Sequence, residues 1–385
     1  MAGTLEEVSD LIRREPVPVD MFERVVPRAR WAAIGLLMAA LLIAAVGAWE
    51  WQMRSIGLRP GDLDDGKPHW AAERRKLDAG PRDAVVLIGD SRNLYDNNLD
   101  TWQQRSGLRP IQLSIAGEWS GPYLADLAND EHFAGLVVLG FAEGTFISNG
   151  PLWINALAYA KQESLSQRAG HRIQLLLSQQ FAFLDSAHSL FPMLHAAHLP
   201  MRKGAEFPEW YARFASQKLG EQSAGRQTSM WPSVVADPRG WQAAWSALPV
   251  FSAPLPAGLV RQVIERSRRD IERIRGRGGE VVFLRPPSTG PFYEGERKGM
   301  PRDQVWDVLI RETRSFGIHF EDYPAMRGLE LPEWSHLTGA DAMKFTAAYV
   351  DVLCQRVQWL LAHGARCAVN GTGGDSARPG SRQPE

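Results

Sequence analysis

Gly89, Asp90 and Ser91 directly follow an apolar run in the stretch VVLIGDSRNLYD, residues 85–96. In parallel α/β sheets, reactive groups gather at the carboxyl ends of the strands. A serine at such an edge can act as the nucleophile of acyl chemistry. Asp and Ser are also favoured N-caps of helices. This stretch alone therefore fits a nucleophile and a helix cap equally well.

A candidate base for this serine lies in LPEWSHLTG, residues 331–339, where His336 follows Glu333 by three positions. A serine hydroxyl needs a base to become a nucleophile. A histidine base needs a carboxylate that fixes its tautomer and stabilises its positive charge. Glu333 and His336 can supply that pair within one turn, and a plain loop or capping role for His336 is the alternative.

The elements that would position these residues follow an α/β rhythm. Short apolar runs alternate with helical patterns, which is typical of βαβ units and a parallel sheet. The predicted strands are 84–88, 111–117, 135–141, 280–287 and 317–323, and the predicted helices are 94–105, 122–130, 259–275, 304–315 and 341–363. Ser91 then follows the first strand, and His336 lies between the last strand and the last helix.

Residues 151–250 interrupt this rhythm and predict a helical insertion that caps the sheet, with IQLLLS, residues 173–178, as its last strand-like run. The tryptophans of the insertion can stack on sugar rings, and burial explains them equally well. They are Trp210, Trp231, Trp241 and Trp245. DSAH (185–188) and HAAH (195–198) place histidines at helical spacing. They match no strong metal-ligand motif, so a polar helix face is favoured and no metal site is predicted.

A membrane segment dominates the N-terminal region. The run from Trp31 to Ala48 carries no charged residue and is long enough to cross a bilayer as a helix. An uncleaved transmembrane helix over 31–51 is favoured over a signal peptide, because residues 1–30 are too long for an ordinary n-region. Basic residues before this helix place 1–30 in the cytoplasm and the rest outside it. A linker over 52–81, a domain over 82–368 and a disordered tail over 369–385 complete the predicted organisation.

Charge and cysteine content exclude some classes of protein. The formal net charge is −1, which argues against nucleic-acid binding, because that function needs a concentrated basic face. The two cysteines, Cys354 and Cys367, are too few for a disulfide framework. Cys354 falls on the apolar side of a predicted helix, so we expect a small, buried hydrophobic side chain there.

The Gly-Asp-Ser motif after the first strand and the acid-x-x-His motif near the end of the domain together resemble the SGNH/GDSL hydrolases. Within that superfamily, the chain looks more like membrane-anchored periplasmic members, such as alginate-type O-acetyltransferases and the D-alanylation protein of teichoic acid. The resemblance covers roughly residues 82–145 and 255–363. It implies a three-layer flavodoxin-like α/β fold with a parallel sheet. It also implies hydrolysis or transfer of acyl esters on a cell-envelope or exopolysaccharide, without a cofactor and with a membrane partner in acyl transfer.

The resemblance also implies residue roles. Ser91 is the expected nucleophile, with its own N–H in the oxyanion hole, and His336 is the expected general base. Glu333 takes the place of the family's usual Asp, and Gly117 in SIAGEWSG matches the second oxyanion donor. Apart from the resemblance, Arg285 and Ser288 follow a predicted strand at the carboxyl edge of the sheet, where they are candidate substrate contacts with a plain loop role as the favoured alternative. Arg92 is the third candidate substrate contact.

One departure concerns the oxyanion hole. Where the family has Gly-x-Asn-Asp, this chain reads Gly-Phe-Ala-Glu over residues 140–143, so the asparagine donor is absent. Losing one such donor typically lowers the rate about 10²–10³-fold. Asn149 and Arg92 are candidate replacements. Without a replacement, the alternative function is a catalytically inactive glycan-binding or scaffold subunit of an envelope assembly.

Overall fold

The computed structural model describes residues 30–63, 65–152, 154–185, 219–246 and 254–367. The chain divides into the units Met1–Gln52 and Met53–Glu385. Helix α1, Trp31–Ser55, begins in the first unit. It is the one helix of the described residues that is long and apolar enough to cross a membrane. Its apolar side chains, such as Leu36 and Ile43, are exposed, as expected of a segment that faces lipid.

The second unit is built on a five-stranded parallel sheet in the order β2-β1-β3-β6-β7. The strands of the chain are β1 Val85–Ile88, β2 Ile111–Gln112, β3 Leu136–Gly140, β4 Gly220–Gln222, β5 Thr228–Met230, β6 Glu280–Arg285 and β7 Phe316–His319. In the central register, Val137 pairs with Val86 on one side and Val281 on the other. These strands are apolar because both sheet faces are covered. The predicted α/β class with a parallel sheet is confirmed.

Helices cover both faces of the sheet. Their bounds are α2 Lys67–Ala79, α3 Ser91–Tyr95, α4 Leu99–Ser106, α5 Gly121–Asn129, α6 Glu143–Phe146, α7 Ala156–Gln162, α8 Leu165–Ser178, α9 Pro232–Ala236, α10 Arg239–Ser246, α11 Ala257–Arg275, α12 Gly290–Gly299, α13 Trp306–Thr313, α14 Gly339–Arg356 and α15 Gln358–Ala362. One core layer packs α2, α5, α11 and α13 against the sheet. The other packs α4, α14 and α15 against the opposite face. Each side of the sheet thus has its own apolar layer.

Two glycines let helix α3 approach the sheet where the strand order reverses, between β1 and β3. A Cβ on Gly89 would lie 2.7 Å from the Asn93 side chain, and one on Gly140 would lie 2.3 Å from it. Gly89 also has a positive φ of 157°. Asn93 uses this space to donate to the Ile88 carbonyl at 2.9 Å. The glycine before Asp90 is therefore required by the close approach of α3.

The segment predicted as a linker, 52–81, contains a helix of the folded unit. Trp70 and Ala71 of α2 are buried in the core. The Trp70 indole N–H donates to the Leu113 carbonyl at 2.9 Å. The inner face of α2 also includes His69 and Glu73, so its sequence lacks the continuous apolar stripe of a core helix.

The insertion differs from its prediction in two places. Residues 173–178 belong to helix α8 and not to a strand. The helix is nucleated by a capping box between Ser164 and Gln167. Strands β4 and β5 form a short antiparallel hairpin further along, so the insertion does contain strands after 178.

Cys354 and Cys367 form a disulfide bond, which corrects the prediction of a lone buried cysteine. Cys354 is 9% exposed, so the expected burial is confirmed. The chain turns back after α15, and the Arg366 N–H donates to the Ser106 carbonyl at 2.7 Å. This return places Cys367 beside α14, and no local pattern in the sequence signals it.

Candidate functional site

Asp90 caps helix α3 and leaves the Ser91 hydroxyl without that role. The Asp90 carboxylate accepts the Arg92 backbone N–H at 3.0 Å, and its second oxygen accepts the Thr145 hydroxyl at 2.7 Å. Ser91 is the first residue of α3 and is partly exposed. The sequence allowed either residue to cap the helix, and the structure shows that Asp90 is the cap.

Glu333 and His336 form the predicted pair in the loop before α14. Glu333 Oε1 lies 3.0 Å from His336 Nδ1 and also accepts the His336 backbone N–H at 2.6 Å. Both side chains are fully buried. The other oxygen, Oε2, accepts the indole N–H of Trp245. The carboxylate is thus held from two sides and fixes the orientation of the imidazole.

Burial and charge act against each other in this pair. Burial lowers the pKa of His336, but the Glu333 carboxylate outweighs it, and the pKa of the imidazole is raised above its ordinary value. Burial raises the pKa of Glu333, but the charge and hydrogen bonds of His336 outweigh it, and that pKa is lowered. A carboxylate that stabilises an imidazolium in this way is what a histidine base requires.

The loop that holds this pair packs along helix α3. Ser335 Oγ accepts the Arg92 Nε–H at 3.2 Å, across 243 positions of sequence. The Leu337 N–H donates to Asp96 Oδ1 at 2.8 Å. Since Arg92 and Asp96 are one helical turn apart, His336 lies over the turn between them. The fold therefore brings the acid-x-x-His loop onto the helix that Ser91 begins.

If Ser91 is the nucleophile and His336 its base, a hydrogen bond between them is expected, and the structure does not contain it. His336 Nε2 is buried and has no hydrogen-bond partner among the residues that the structure describes. The rings of Tyr95 and Trp245 lie 5.0 Å and 6.2 Å from the imidazole ring, measured between centroids. This enclosure explains why His336 is 0% exposed. His336 Nε2 is therefore shielded from solvent in this structure.

Two further polar atoms near His336 are buried without partners. Asp96 Oδ2 and Arg92 Nη1 make no hydrogen bond within the described part of the chain. Burial raises the pKa of the Asp96 carboxyl to about 7. An unpaired buried polar group costs about 1–3 kcal/mol, so Arg92, Asp96 and His336 concentrate such a cost in one place.

Arg285 and Ser288 lie in a buried charge network at the same edge. Arg285 donates to Glu143 at 3.0 Å and to Glu296 at 2.7 Å. Ser288 donates to Glu296 at 2.6 Å, and Glu296 also pairs with Arg92. Each of the three guanidinium nitrogens of Arg285 has a partner. The structure therefore places these two expected substrate contacts among groups that connect α6, β6 and α12.

The residues considered for the oxyanion hole differ in their exposure to solvent. Gly117 lies in an exposed turn after β2 with φ of +73°, and a Cβ there would meet nothing within 4 Å. Its backbone therefore borders open space. Asn149 is exposed beyond α6. The Glu143 carboxylate accepts from Arg285, so it cannot serve as an oxyanion donor.

Two cavities beside this edge were not predicted from the sequence. One, of about 560 Å³, is lined by apolar residues that include Phe320, Met326 and Leu331. The other, of about 410 Å³, is lined by charged groups that include Arg285 and Glu296, together with His319. Both sizes are typical of ligand pockets. The sequence contained a signal for the second cavity. Arg285 and His319 end neighbouring parallel strands, and such strand ends lie at the same edge of the sheet.

The structure tests only some of the predictions made for residues of the insertion, 151–250. Trp241 is buried and packs on Trp245 with ring centroids 5.4 Å apart, while Trp231 is partly buried. Trp210 and the histidines of 186–198 lie outside the described residues. Among the residues that are described, no group of three or more His, Cys, Asp or Glu side chains could hold a metal ion.

No family model matches the chain, and no curated protein matches it.

Proposed function

We propose that this chain is a membrane-anchored serine esterase or O-acyltransferase of SGNH/GDSL type that acts on acyl esters of a cell-envelope or exopolysaccharide. The observation that carries the proposal is the Glu333–His336 pair, 3.0 Å apart, packed on the helix that Ser91 begins. When the five strands of the parallel sheet are counted along the chain, without the β4–β5 hairpin, their order is 2-1-3-4-5, which is the flavodoxin-like order and agrees with the resemblance in the sequence.

In the proposed reaction, Ser91 Oγ attacks the carbonyl carbon of the ester while His336 Nε2 takes the hydroxyl proton. The tetrahedral intermediate then expels the alcohol, which takes that proton as the carbon–oxygen bond breaks. Water or a sugar hydroxyl then attacks the acyl-serine while His336 Nε2 takes its proton. The second tetrahedral intermediate breaks its bond to Ser91 Oγ, which receives that proton from His336, and the acid or the new ester leaves. Glu333 stabilises the imidazolium that forms in each half.

The oxyanion that develops in both halves needs donors. The backbone N–H groups of Ser91 and Gly117 are the proposed pair. Arg92 Nη1 is the proposed replacement for the absent asparagine, because it is buried beside His336 and has no partner. A guanidinium also stabilises negative charge more strongly than a neutral amide. Arg285 and Ser288 then support the site by fixing Glu296, which in turn holds Arg92.

Turnover of a simple ester tests this proposal. The full chain in detergent should release p-nitrophenolate from p-nitrophenyl acetate with an initial burst, because an acyl-serine accumulates before water hydrolyses it. The burst amplitude should approach one per chain. Release at the rate of buffer alone would contradict the proposed activity.

The enclosure of His336 favours a second function, a catalytically inactive glycan-binding or scaffold subunit. In such a protein, the rings around His336, including that of Trp245, would shield it permanently. His336 would then form no hydrogen bond to Ser91. The absence of a burst together with binding of an acetylated polysaccharide would support this alternative.

The proposed location is the cytoplasmic membrane, with the second unit in the periplasm. Three arginines before α1, Arg24, Arg28 and Arg30, favour a cytoplasmic N-terminus. The disulfide between Cys354 and Cys367 agrees with this location, because disulfides persist in oxidising compartments. A membrane protein that supplies acyl groups is the proposed partner.

A topology reporter checks this location. Alkaline phosphatase fused after residue 385 should be active in cells, because it folds only where disulfides form. A fusion of β-galactosidase at the same residue is the matched control and should be inactive. The reverse pattern would place the second unit in the cytoplasm and remove the envelope substrate.

A further inference from the structure

Helix α8 presents its apolar side to solvent. Leu165 is 81% exposed, Ile173 58% and Leu176 64%. Positions 165, 169, 173 and 176 fall on one side of a helix, so these residues form a single apolar face. A helix on the surface of a folded domain normally turns such a face toward the core. The reversed orientation of α8 marks an interaction surface.

The opposite side of α8 is mostly polar, includes the partly buried Leu175, and packs against α2. Arg168 pairs with the buried Glu163 at 3.2 Å. The ring of His171 lies 6.1 Å from that of His69 on α2. Ser178, at the end of the helix, is buried. The residues of α8 that are buried or partly buried thus lie on the inner side, and the exposed leucine and isoleucine side chains lie on the side that faces away from the domain.

The C-terminal end of α8 contacts residues that directly follow the apolar run of α1. The Gly61 N–H donates to the Ser178 carbonyl at 2.7 Å. Arg54 Nη2 donates to the Gln180 carbonyl at 3.2 Å. Arg54 is in the last turn of α1, six residues after Ala48, which is about 9 Å of helix. Chain connectivity therefore keeps this end of α8 close to the surface of a membrane that α1 spans.

We propose that α8 lies in the headgroup region of the bilayer, with Leu165, Ile173, Leu176 and Leu177 inserted toward the acyl chains. Arg172 is exposed beside this face and suits anionic headgroups. The lipid surface is the occupant because α8 adjoins the point where the chain leaves the membrane. The proposal goes beyond the ester chemistry and rests on α1 as the anchor. It gives the second unit a further attachment to the membrane.

Spin labels on two neighbouring residues of α8 test this placement. Both native cysteines are in the disulfide, so a single new cysteine can be labelled. The full chain carrying Ile173→Cys or Gln174→Cys is reconstituted in phosphatidylethanolamine–phosphatidylglycerol vesicles, which are then washed with carbonate. Both positions are exposed, but Gln174 lies about 100° around the helix and is the matched control.

In power-saturation measurements, the label at 173 should be relaxed several-fold more by oxygen than by a water-soluble nickel complex, relative to the label at 174. Equal accessibility at the two positions would overturn the proposal. Spin–spin broadening would show that the apolar face contacts a second copy of the chain. Protection of the label from both reagents would show that the face is buried against protein. Either result would overturn the proposal. Release of the chain from the vesicles by carbonate would contradict both the role of α1 as the membrane anchor and the placement of α8. The p-nitrophenyl acetate burst tests the proposed activity independently of all these outcomes.

Discussion

His336→Asn should lower the steady-state release of p-nitrophenolate by about 10³- to 10⁶-fold, the range seen when a serine hydrolase loses its base. The asparagine amide can still donate to Glu333 Oε1 from roughly the position of Nδ1, so the buried carboxylate keeps a partner. It has no counterpart of Nε2, so the Ser91 proton has no acceptor. Comparison of the burst and steady-state rates with those of the unchanged chain measures the loss.

An exposed histidine supplies the matched control. His132 lies in a surface loop before β3, and His132→Gln should leave the rate within about twofold. The His336→Asn chain should also retain the far-ultraviolet circular dichroism of the parent, because the substitution keeps the hydrogen bond within the loop. Full activity in this folded variant would show that His336 is not the base.

Arg285→Met should lower the free energy of unfolding by about 3–5 kcal/mol, the effect of breaking a buried ion pair from one side. Arg285 is 2% exposed and is the partner of Glu143, whose other oxygen is already unpaired. Methionine has a similar length but no donor, so Glu143 would be left as a buried charge. Urea unfolding of the full chain in detergent, followed by tryptophan fluorescence, measures the change.

Two companion variants separate charge from packing in this network. Arg302 pairs with Asp322 at 2.8 Å at the protein surface, and Arg302→Met should cost only about 0–1 kcal/mol. Arg285→Met combined with Glu143→Gln should recover part of the loss, because the uncompensated charge is then removed. Equal losses in Arg285→Met and Arg302→Met would contradict the buried network.

Local patterns predicted the features of the site that depend on local structure. The apolar run of β1 and the turn residues after it predicted the position of Ser91 at a strand end. The spacing of Glu333 and His336 predicted their contact, because residues three apart in one turn face each other. The contact between Glu333 and His336 could therefore be predicted without information on the rest of the chain.

Features that depend on distant segments could not be predicted in this way. Trp245, which donates to Glu333, belongs to helix α10 and precedes Glu333 by 88 positions in the sequence. Arg285 has the same appearance in the sequence whether it faces a substrate or two buried carboxylates. The burial of α2 was hidden because His69 and Glu73 share its inner face with Trp70. In each case the deciding contact joins elements whose pairing is set by the tertiary fold.

The most direct measurement of the central claim is the position at which a fluorophosphonate probe attaches to the full chain in its membrane. Trypsin cuts after Arg82 and Arg92 and releases DAVVLIGDSR, residues 83–92, in which Ser91 is the only serine. The account predicts that mass spectrometry finds the probe on this peptide, and that His336→Asn removes it. A chain that stays unlabelled, or carries the probe on the peptide of Ser335 and not on that of Ser91, would contradict it.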